Sequence, residues 1–253
     1  MSNELEGRTA LVTGGNRGIG LAMARALGIA GAAVAIVARD RARTDEAIAD
    51  LQAEGIDASA HIVELSDRAS CQAAVAAAVR RHGQLDILVN NAGINIRKRP
   101  ELYSEEEIER VIATDLLVPF HLAVSAYQAC METRGGKIIN VGSLLSTFGG
   151  AVFAPYSAAK GGLLQLTRSL AIAWAPQDIQ VNAILPGWID TDLTVSARRE
   201  VAGLNEKVLT RTPAGRWGDT KDFGAAAVFL AGPGSRYITG TSISIDGGYS
   251  VAI

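Results

Sequence analysis

Seven short apolar runs, each separated from the next by a longer intervening stretch, leave this chain few folds to adopt. They are 9–14 (TALVTG), 32–39 (AAVAIVAR), 58–65 (ASAHIVEL), 85–93 (LDILVNNAG), 137–143 (KIINVGS), 179–187 (IQVNAILPG) and 241–248 (TSISIDGG). Most lack an apolar–polar alternation, so they read as strands covered on both faces. Most stretches between them are Ala-rich and helical in pattern. Ser66 reads as the N-cap of a helix ending at Gly83. Ser104 with Glu107 reads as a capping box opening a helix through Met131. Strands alternating with helices require crossovers, and right-handed crossovers produce a doubly wound sheet. The prediction is an α/β fold: one domain over 1–253, with a seven-stranded parallel sheet and helices on both faces. A chain of 253 residues with 48% hydrophobic content supplies one large core, and no linker divides it.

Composition excludes other classes. A net charge of −2 gives no basic field for nucleic acid. No apolar run reaches the length of a membrane span, so no membrane partner is expected. The start, MSNELEGRTALVTGG, lacks the features of a signal peptide. Cys71 and Cys130 fall in Ala/Val-rich helical stretches and read as buried packing, which suits a reduced, cytoplasmic protein. His61, His82 and His121 have no metal-ligand spacing.

Two local patterns carry chemistry. The first strand runs into Thr13-Gly14-Gly15-Asn16-Arg17-Gly18-Ile19-Gly20 and then a helix. Strand, glycine turn and helix N-terminus together make a pyrophosphate site, since backbone N–H groups and the helix dipole face the anion. The spacing G-x-x-x-G-x-G differs from the common dinucleotide fingerprint, and a plain turn with packing glycines is the competing reading. Further on, Tyr156 and Lys160 share one helix face. A neighbouring ammonium favours phenolate and is expected to lower the tyrosine pKa from about 10. Such a phenol can exchange a proton with a carbonyl or alcohol oxygen. The hydroxyl of Ser143 can hold the same oxygen.

TGGNRGIG, NNAG (Asn90 to Gly93), Ser143, Y-S-A-A-K and PGWIDT (Pro186 to Thr191) together resemble the short-chain dehydrogenase/reductase family, in order and spacing. The resemblance runs from about Leu5 to Gly248. It implies a Rossmann sheet, a nicotinamide cofactor, no catalytic metal and a homotetramer. It implies that Gly14, Gly18 and Gly20 cradle the pyrophosphate, with Asn16, Arg17 and Ile19 in the same turn. Ala38, Arg39, Glu64, Leu65, Asn91, Ala92 and Gly93 then pass the ribose and adenine side, Glu64 standing where the family usually has Asp. Pro186, Gly187, Ile189 and Thr191 hold the nicotinamide end. Ser143, Tyr156 and Lys160 are catalytic, and Lys160 also bonds the nicotinamide ribose. Asp115 takes the place of the usual fourth catalytic residue, an Asn whose main-chain carbonyl holds a water in a proton relay. A main-chain role tolerates Asp, but a carboxylate lacks the amide's donors, so the relay's pH dependence is expected to change.

Ala38 followed by Arg39, with Arg17 in the glycine turn, favours NADP(H) over NAD(H), because NAD users place an acid where Ala38 stands. Arg39 also fits a solvated surface charge. Arg97, Lys98 and Arg99 follow NNAG at the C-terminal end of strand four, where ligands of open α/β sheets bind. Arg97 or Lys98 could clasp an anionic substrate, and a solvated loop is the alternative. Trp188 either touches substrate, walls an apolar pocket or packs under a lid. That lid is expected at 191–211. NNAGINIRKRP, the Asp of IATDLLVPF, GGKIINVGSLLSTFGG and TPAGRWG resemble the branch containing gluconate 5-dehydrogenase and 2-deoxy-D-gluconate 3-dehydrogenase, which implies a sugar-acid substrate. A 3-oxoacyl-thioester reductase is the rival, with the three cations docking an acidic carrier. A non-catalytic regulatory protein is the remote alternative. The apolar edge and tail TSISIDGGYSVAI invites cover by another subunit.

Overall fold

The computed structural model describes residues 3–252, save 192–193, 196–197, 200 and 202. Those six positions fall in the expected lid and lie outside the described residues. The strands are β1 (Thr9–Thr13), β2 (Ala33–Ala38), β3 (Ala58–Ile62), β4 (Ile87–Asn90), β5 (Gly136–Val141), β6 (Ile179–Pro186) and β7 (Ser242–Ile245). They form one sheet in the order β3-β2-β1-β4-β5-β6-β7, with every neighbouring pair parallel. The order turns back between β1 and β4, the switch point where such sheets open a crevice for ligands. Strands end short of the apolar runs that announced them, because residues such as 63–65, 91–93 and 142–143 leave the sheet. Those departing residues build the site.

The unalternating runs have a direct cause. In β1, Ala10 and Val12 enter one apolar cluster while Leu11 enters the other; in β2, Val34 and Ile36 oppose Ala35 and Val37. Successive side chains point to opposite faces, and both faces are dry. One layer holds α1 (Gly18–Ile29) and α7 (Gly224–Ala231), with Met23, Leu27 and Leu230 in the core. The other holds α3 (Arg68–His82), α4 (Glu105–Arg134) and α5 (Ala154–Trp174). It buries Cys71, Leu122, Met131 and Leu170. Two further helices among the described residues are α2 (Arg41–Ala53) and α6 (Leu204–Arg211). Both cysteines are free and buried.

Helix ends show where local chemistry decides. Ser104 opens α4 as expected: its hydroxyl accepts from the Glu107 N–H at 3.2 Å, and its own N–H donates to Glu107 Oε2 at 3.0 Å. Gly83 closes α3 in the left-handed region at φ 82°. The N-cap of α3 is Asp67, not Ser66; the Asp67 carboxylate accepts the Ser70 N–H at 2.8 Å, while the Ser66 N–H donates to Ser70 Oγ at 3.1 Å. A charged acceptor outcompetes the hydroxyl one position earlier. Helix α4 runs past Met131 to Arg134, and an 18-residue stretch of it with a mean hydropathy of 1.2 makes it long and apolar enough to cross a bilayer by length and composition. Its Val111, Val118, Leu122 and Met131 are nevertheless buried in the core. Two π-turns interrupt it, Ala113–Leu117 and Tyr127–Met131. The first places Asp115 inside the fold.

Buried amides tie the central strands to α5. Asn90 Nδ2 donates to Asn140 Oδ1 at 2.8 Å, and Asn140 Nδ2 donates to Thr167 Oγ1 at 2.9 Å. Buried amides left unpaired would be costly, so this relay fixes β4 against β5 and both against the helix that carries Tyr156 and Lys160.

Candidate active site

The glycine turn and NNAG close on each other. Gly14 and Gly18 have φ of +61° and +54°, a region that side chains rarely enter. The N–H groups of Asn91 and Ala92 both donate to Thr13 Oγ1 at 3.0 Å. Asn91 Nδ2 donates to the carbonyls of Thr13 and Gly14 at 3.0 and 3.2 Å. A Cβ on Gly20 would stand 2.4 Å from both the Gly14 oxygen and Asn91 Nδ2. No side chain caps the start of α1, which leaves its first N–H groups without a capping acceptor. This uncapped N-terminus, wrapped by left-handed glycines, fits a dinucleotide pyrophosphate. Gly20→Ala is expected to weaken nicotinamide-cofactor affinity roughly tenfold or more, since relieving the overlap costs about 1–3 kcal/mol. An unchanged Kd in a fluorescence titration would refute the role given to this turn.

Other expected cofactor residues are arranged around that turn. Asn16 Nδ2 is engaged by Thr44 Oγ1 at 3.1 Å. Arg17 is exposed at the turn, Ile19 is half-buried, and Ala38 ends β2. Arg39 Nη1 lies 3.7 Å from Glu64 Oε1 across the exposed ends of β2 and β3. Leu65 packs on the α3 side of the core. Gly187 meets the C-terminal segment so closely that a Cβ would stand 2.6 Å from Asp246 Cα. Ile189 is buried and bridges to Gly218. Thr191 Cγ2 would be the nearest atom to a Cβ on Gly18, at 3.7 Å. Residues far apart in sequence therefore meet along one crevice.

Ser143, Tyr156, Lys160 and Asp115 converge beside it. Lys160 is 3% exposed, and its Nζ donates to the Val141 carbonyl at 2.9 Å. Nζ also lies 3.2 Å from Asp115 Oδ1 and 5.7 Å from the centroid of the Tyr156 ring. The Asp115 contact is charge against charge, because Oδ1 makes no aligned hydrogen bond. Asp115 Oδ2 accepts the Ile94 N–H at 3.0 Å. A Cβ on Gly93 would stand 2.4 Å from Oδ1, so only glycine lets NNAG approach so closely. Burial pushes the Asp115 carboxyl up, with Lys160 and the Ile94 N–H drawing it back. Burial works against the Lys160 ammonium, but Asp115 and Tyr156 raise it overall.

The phenol departs from expectation. Burial pushes Tyr156 above the ordinary tyrosine range; Lys160 and the Ser143 hydroxyl pull it down, and Asp115 pushes it up. A lone lysine would lower the phenol, as the sequence suggested. Here burial outweighs the lysine, whose charge is also shared with a buried carboxylate.

Ser143 and Tyr156 line a cavity of about 530 Å³, with Pro186, Gly187 and Trp188 on its wall. Arg97 enters it and lies 5.4 Å from the centroid of the Phe153 ring. Lys98 does not line it: its Nζ pairs with Glu107 Oε1 at 2.5 Å. Arg99 pairs with Glu101 at 2.7 Å. The three-cation loop thus contributes one cation, and Lys98 is corrected to a structural ion pair anchoring the loop to α4. Trp188 lines the cavity while meeting Trp217 edge-on at 5.7 Å, packed against Leu204 and Val208 of α6. The expected lid therefore contains a helix, α6, whose apolar side rests on these tryptophans.

A family model described as enoyl-(acyl carrier protein) reductase matches residues 14–250. A 2-dehydro-3-deoxy-D-gluconate 5-dehydrogenase of Formosa agariphila is 38% identical over 252 residues, covering 99% of this chain and 95% of its own. A gluconate 5-dehydrogenase of Gluconobacter oxydans is 35% identical, over 98% and 97% of the two chains. The chain belongs to the short-chain dehydrogenase/reductase family. A crystal structure of a gluconate 5-dehydrogenase from Burkholderia cenocepacia, in complex with NADP and tartrate, superposes with a TM-score of 0.93 at 36% identity, covering 99% of this chain and 98% of that one. This short-chain dehydrogenase/reductase is an NAD(P)-dependent oxidoreductase acting on CH–OH groups.

Several cavity residues of this family member escaped the sequence reading, Asn95, Arg211 and Tyr249 among them. Asn95 stands beside Arg97 in the NNAG loop. Arg211 ends α6, and its guanidinium lies 4.5 Å from the centroid of the Tyr249 ring, which comes from the C-terminal segment. Both Arg211 and Tyr249 line the cavity. No motif or spacing relates a lid helix to a chain end; only the packed fold brings them together.

Proposed function

We propose that this enzyme interconverts a secondary alcohol and a ketone on a small polyhydroxylated carboxylate, a sugar acid, using NADP(H) in preference to NAD(H). One observation carries the substrate class. Among the described residues, the charged side chains lining the cavity are Arg97 and Arg211, and no acid faces them there. A cavity with two guanidiniums and no carboxylate selects an anion, and Arg takes a carboxylate in bidentate fashion. The relatives agree: they are gluconate and 2-dehydro-3-deoxy-D-gluconate dehydrogenases, one gluconate 5-dehydrogenase having been crystallised with NADP and tartrate.

In this reading the bound nicotinamide gives or takes the hydride. Tyr156 exchanges the proton of the substrate oxygen, and Ser143 hydrogen-bonds that oxygen to hold it against the phenol. Lys160, fixed by Val141 and Asp115, stabilises the phenolate and reaches the nicotinamide ribose. One domain supplies both cradle and cavity, with 191–211 as the lid. The free buried cysteines suit the cytoplasm. The open edge of β7, with exposed Phe229, Tyr237 and Val251, supports assembly as a homotetramer.

The preference for NADP(H) is supported by Ala38 at the end of β2, standing where NAD users place an acid, and by Arg39 beside it, a cation whose partner is the exposed Glu64 at 3.7 Å. Ala38→Asp is expected to lower the NADP-over-NAD ratio of kcat/KM by roughly tenfold or more, through like-charge repulsion. A ratio that does not move would sink the assignment. The substrate class is tested by following reduced-nicotinamide absorbance with sugar acids, neutral polyols and 3-hydroxyacyl thioesters. D-Gluconate and its relatives should be turned over; thioester turnover without sugar-acid turnover would overturn the proposal.

A further inference from the structure

The two cavity arginines are not equivalent. Arg97 comes from a loop held by its neighbours' ion pairs and lies 5.4 Å from the Phe153 ring centroid, farther than the 4.5 Å between Arg211 and Tyr249. Arg211 has a support of its own, assembled from the end of the chain. Asp246 builds that support: its Oδ1 accepts the Gly248 N–H at 2.9 Å and its Oδ2 accepts the Ser250 N–H at 2.8 Å. The turn so formed presses onto the segment following α6. The Ala214 N–H donates to the Gly247 carbonyl at 3.0 Å. A Cβ on Gly247 would stand 2.8 Å from Thr212 Cγ2, and one on Gly248 would stand 3.0 Å from Pro213 Cγ. Both glycines also have positive φ, at 63° and 88°. Side chains at either position would push the turn away. With glycines there, Tyr249 is presented under Arg211.

We propose that Arg211 is the carboxylate-reading residue of this site, and that Tyr249 is the positioning residue that holds its guanidinium in the plane needed for a bidentate contact. The inference rests on the sugar-acid reading above and assigns the recognition within it. A guanidinium stacked on an aromatic face keeps its N–H edge free. The edge of Arg211 is uncommitted in that sense: the stack on Tyr249 is its contact, with no acid partner among the described residues. Because Arg211 ends α6, an acid bound to it ties the lid helix, the C-terminal segment and the cavity together. A neutral polyol lacks that tie.

The test compares D-gluconate with sorbitol, its uncharged counterpart, on the intact enzyme with NADP+. Wild type should favour gluconate in kcat/KM. Arg211→Gln should shrink that ratio by roughly ten- to hundredfold, the expected loss of a charge-assisted pair of hydrogen bonds. Tyr249→Ala should raise KM for gluconate several-fold with kcat retained, and Tyr249→Phe, which keeps the aromatic face, should restore it. Gluconate titrated against tryptophan fluorescence, read through Trp188 beside the same cavity, should weaken in Arg211→Gln in parallel. If wild type shows no preference for the acid, the sugar-acid reading itself fails. If wild type prefers the acid and Arg211→Gln keeps that preference, only the assignment to Arg211 fails, and Arg97 carries the recognition. If Tyr249→Phe behaves as Tyr249→Ala, the stack is not what positions the arginine.

Discussion

Tyr156→Phe is expected to lower kcat by about 10²–10⁴-fold, the range attributable to one general acid–base group, while cofactor affinity stays near wild type. The substitution keeps the ring and removes only the hydroxyl, so packing in α5 is preserved. The expectation is large because neither Ser143 nor Lys160, the groups that converge with the phenol, can replace it. Ser143 Oγ is occupied in accepting the Leu145 N–H at 3.2 Å, and an ordinary hydroxyl is a poor acid and base at neutral pH. Lys160 is buried and held by the Val141 carbonyl and Asp115. Its ammonium also keeps its proton, because Asp115 and Tyr156 outweigh the effect of burial. A variant with kcat within tenfold of wild type would show that the proton moves by another route. The pH dependence has a definite sign. Burial raises the phenol, so phenolate accumulates only as pH rises. Alcohol oxidation should climb into the alkaline range, and ketone reduction should fall over the same range.

Much of this arrangement was legible in the sequence, and the legible part has a common origin. Runs such as TALVTG and AAVAIVAR are apolar on both faces because each strand lies between two helical layers. The glycine turn, NNAG and the Tyr156/Lys160 pair are short-range patterns whose geometry is set within a few residues. Contacts between distant segments were not legible. Lys98 and Arg97 are adjacent in sequence, yet one pairs with Glu107 and the other enters the cavity. Arg211 and Tyr249 meet only because β7 returns the chain end to the mouth of the crevice. The Tyr156 phenol was misjudged for a related reason: Lys160 was visible as its neighbour, but the packing that buries the phenol and raises it comes from segments distant in sequence, and the Asp115 charge adds to it. The π-turn that lodges Asp115 there has no signature in ATDLL.

Asp115→Ala should therefore destabilise the protein by about 3–5 kcal/mol, the usual penalty for stranding one member of a buried ion pair, and should lower Tm by roughly 10 °C. Two groups lose their partner together: the Lys160 ammonium, and the Ile94 N–H, whose hydrogen bond a methyl cannot accept. Asp115→Asn separates these effects. The amide oxygen can still receive the Ile94 N–H, so stability should fall less, while the negative charge beside the lysine and phenol is gone. Asp115 is one of the groups raising Tyr156. Removing its charge should move the rising limb of the oxidation profile toward lower pH, and the same shift should appear in the falling limb of reduction. The stability term has the opposite dependence. The Lys160 pKa is raised in the folded state, so the stabilisation it brings is fully present below the unfolded lysine value and is lost as pH rises through the folded one. The Tm gap between wild type and Asp115→Ala should then be widest near neutrality and narrow in strongly alkaline solution. An Asn variant whose pH profile overlays wild type would return Asp115 to the main-chain role its family position suggests, with the carboxylate serving only to hold NNAG against α4. A shifted profile with near-normal stability would show that the carboxylate sets the working pH of the phenol, a role that a main-chain carbonyl cannot perform.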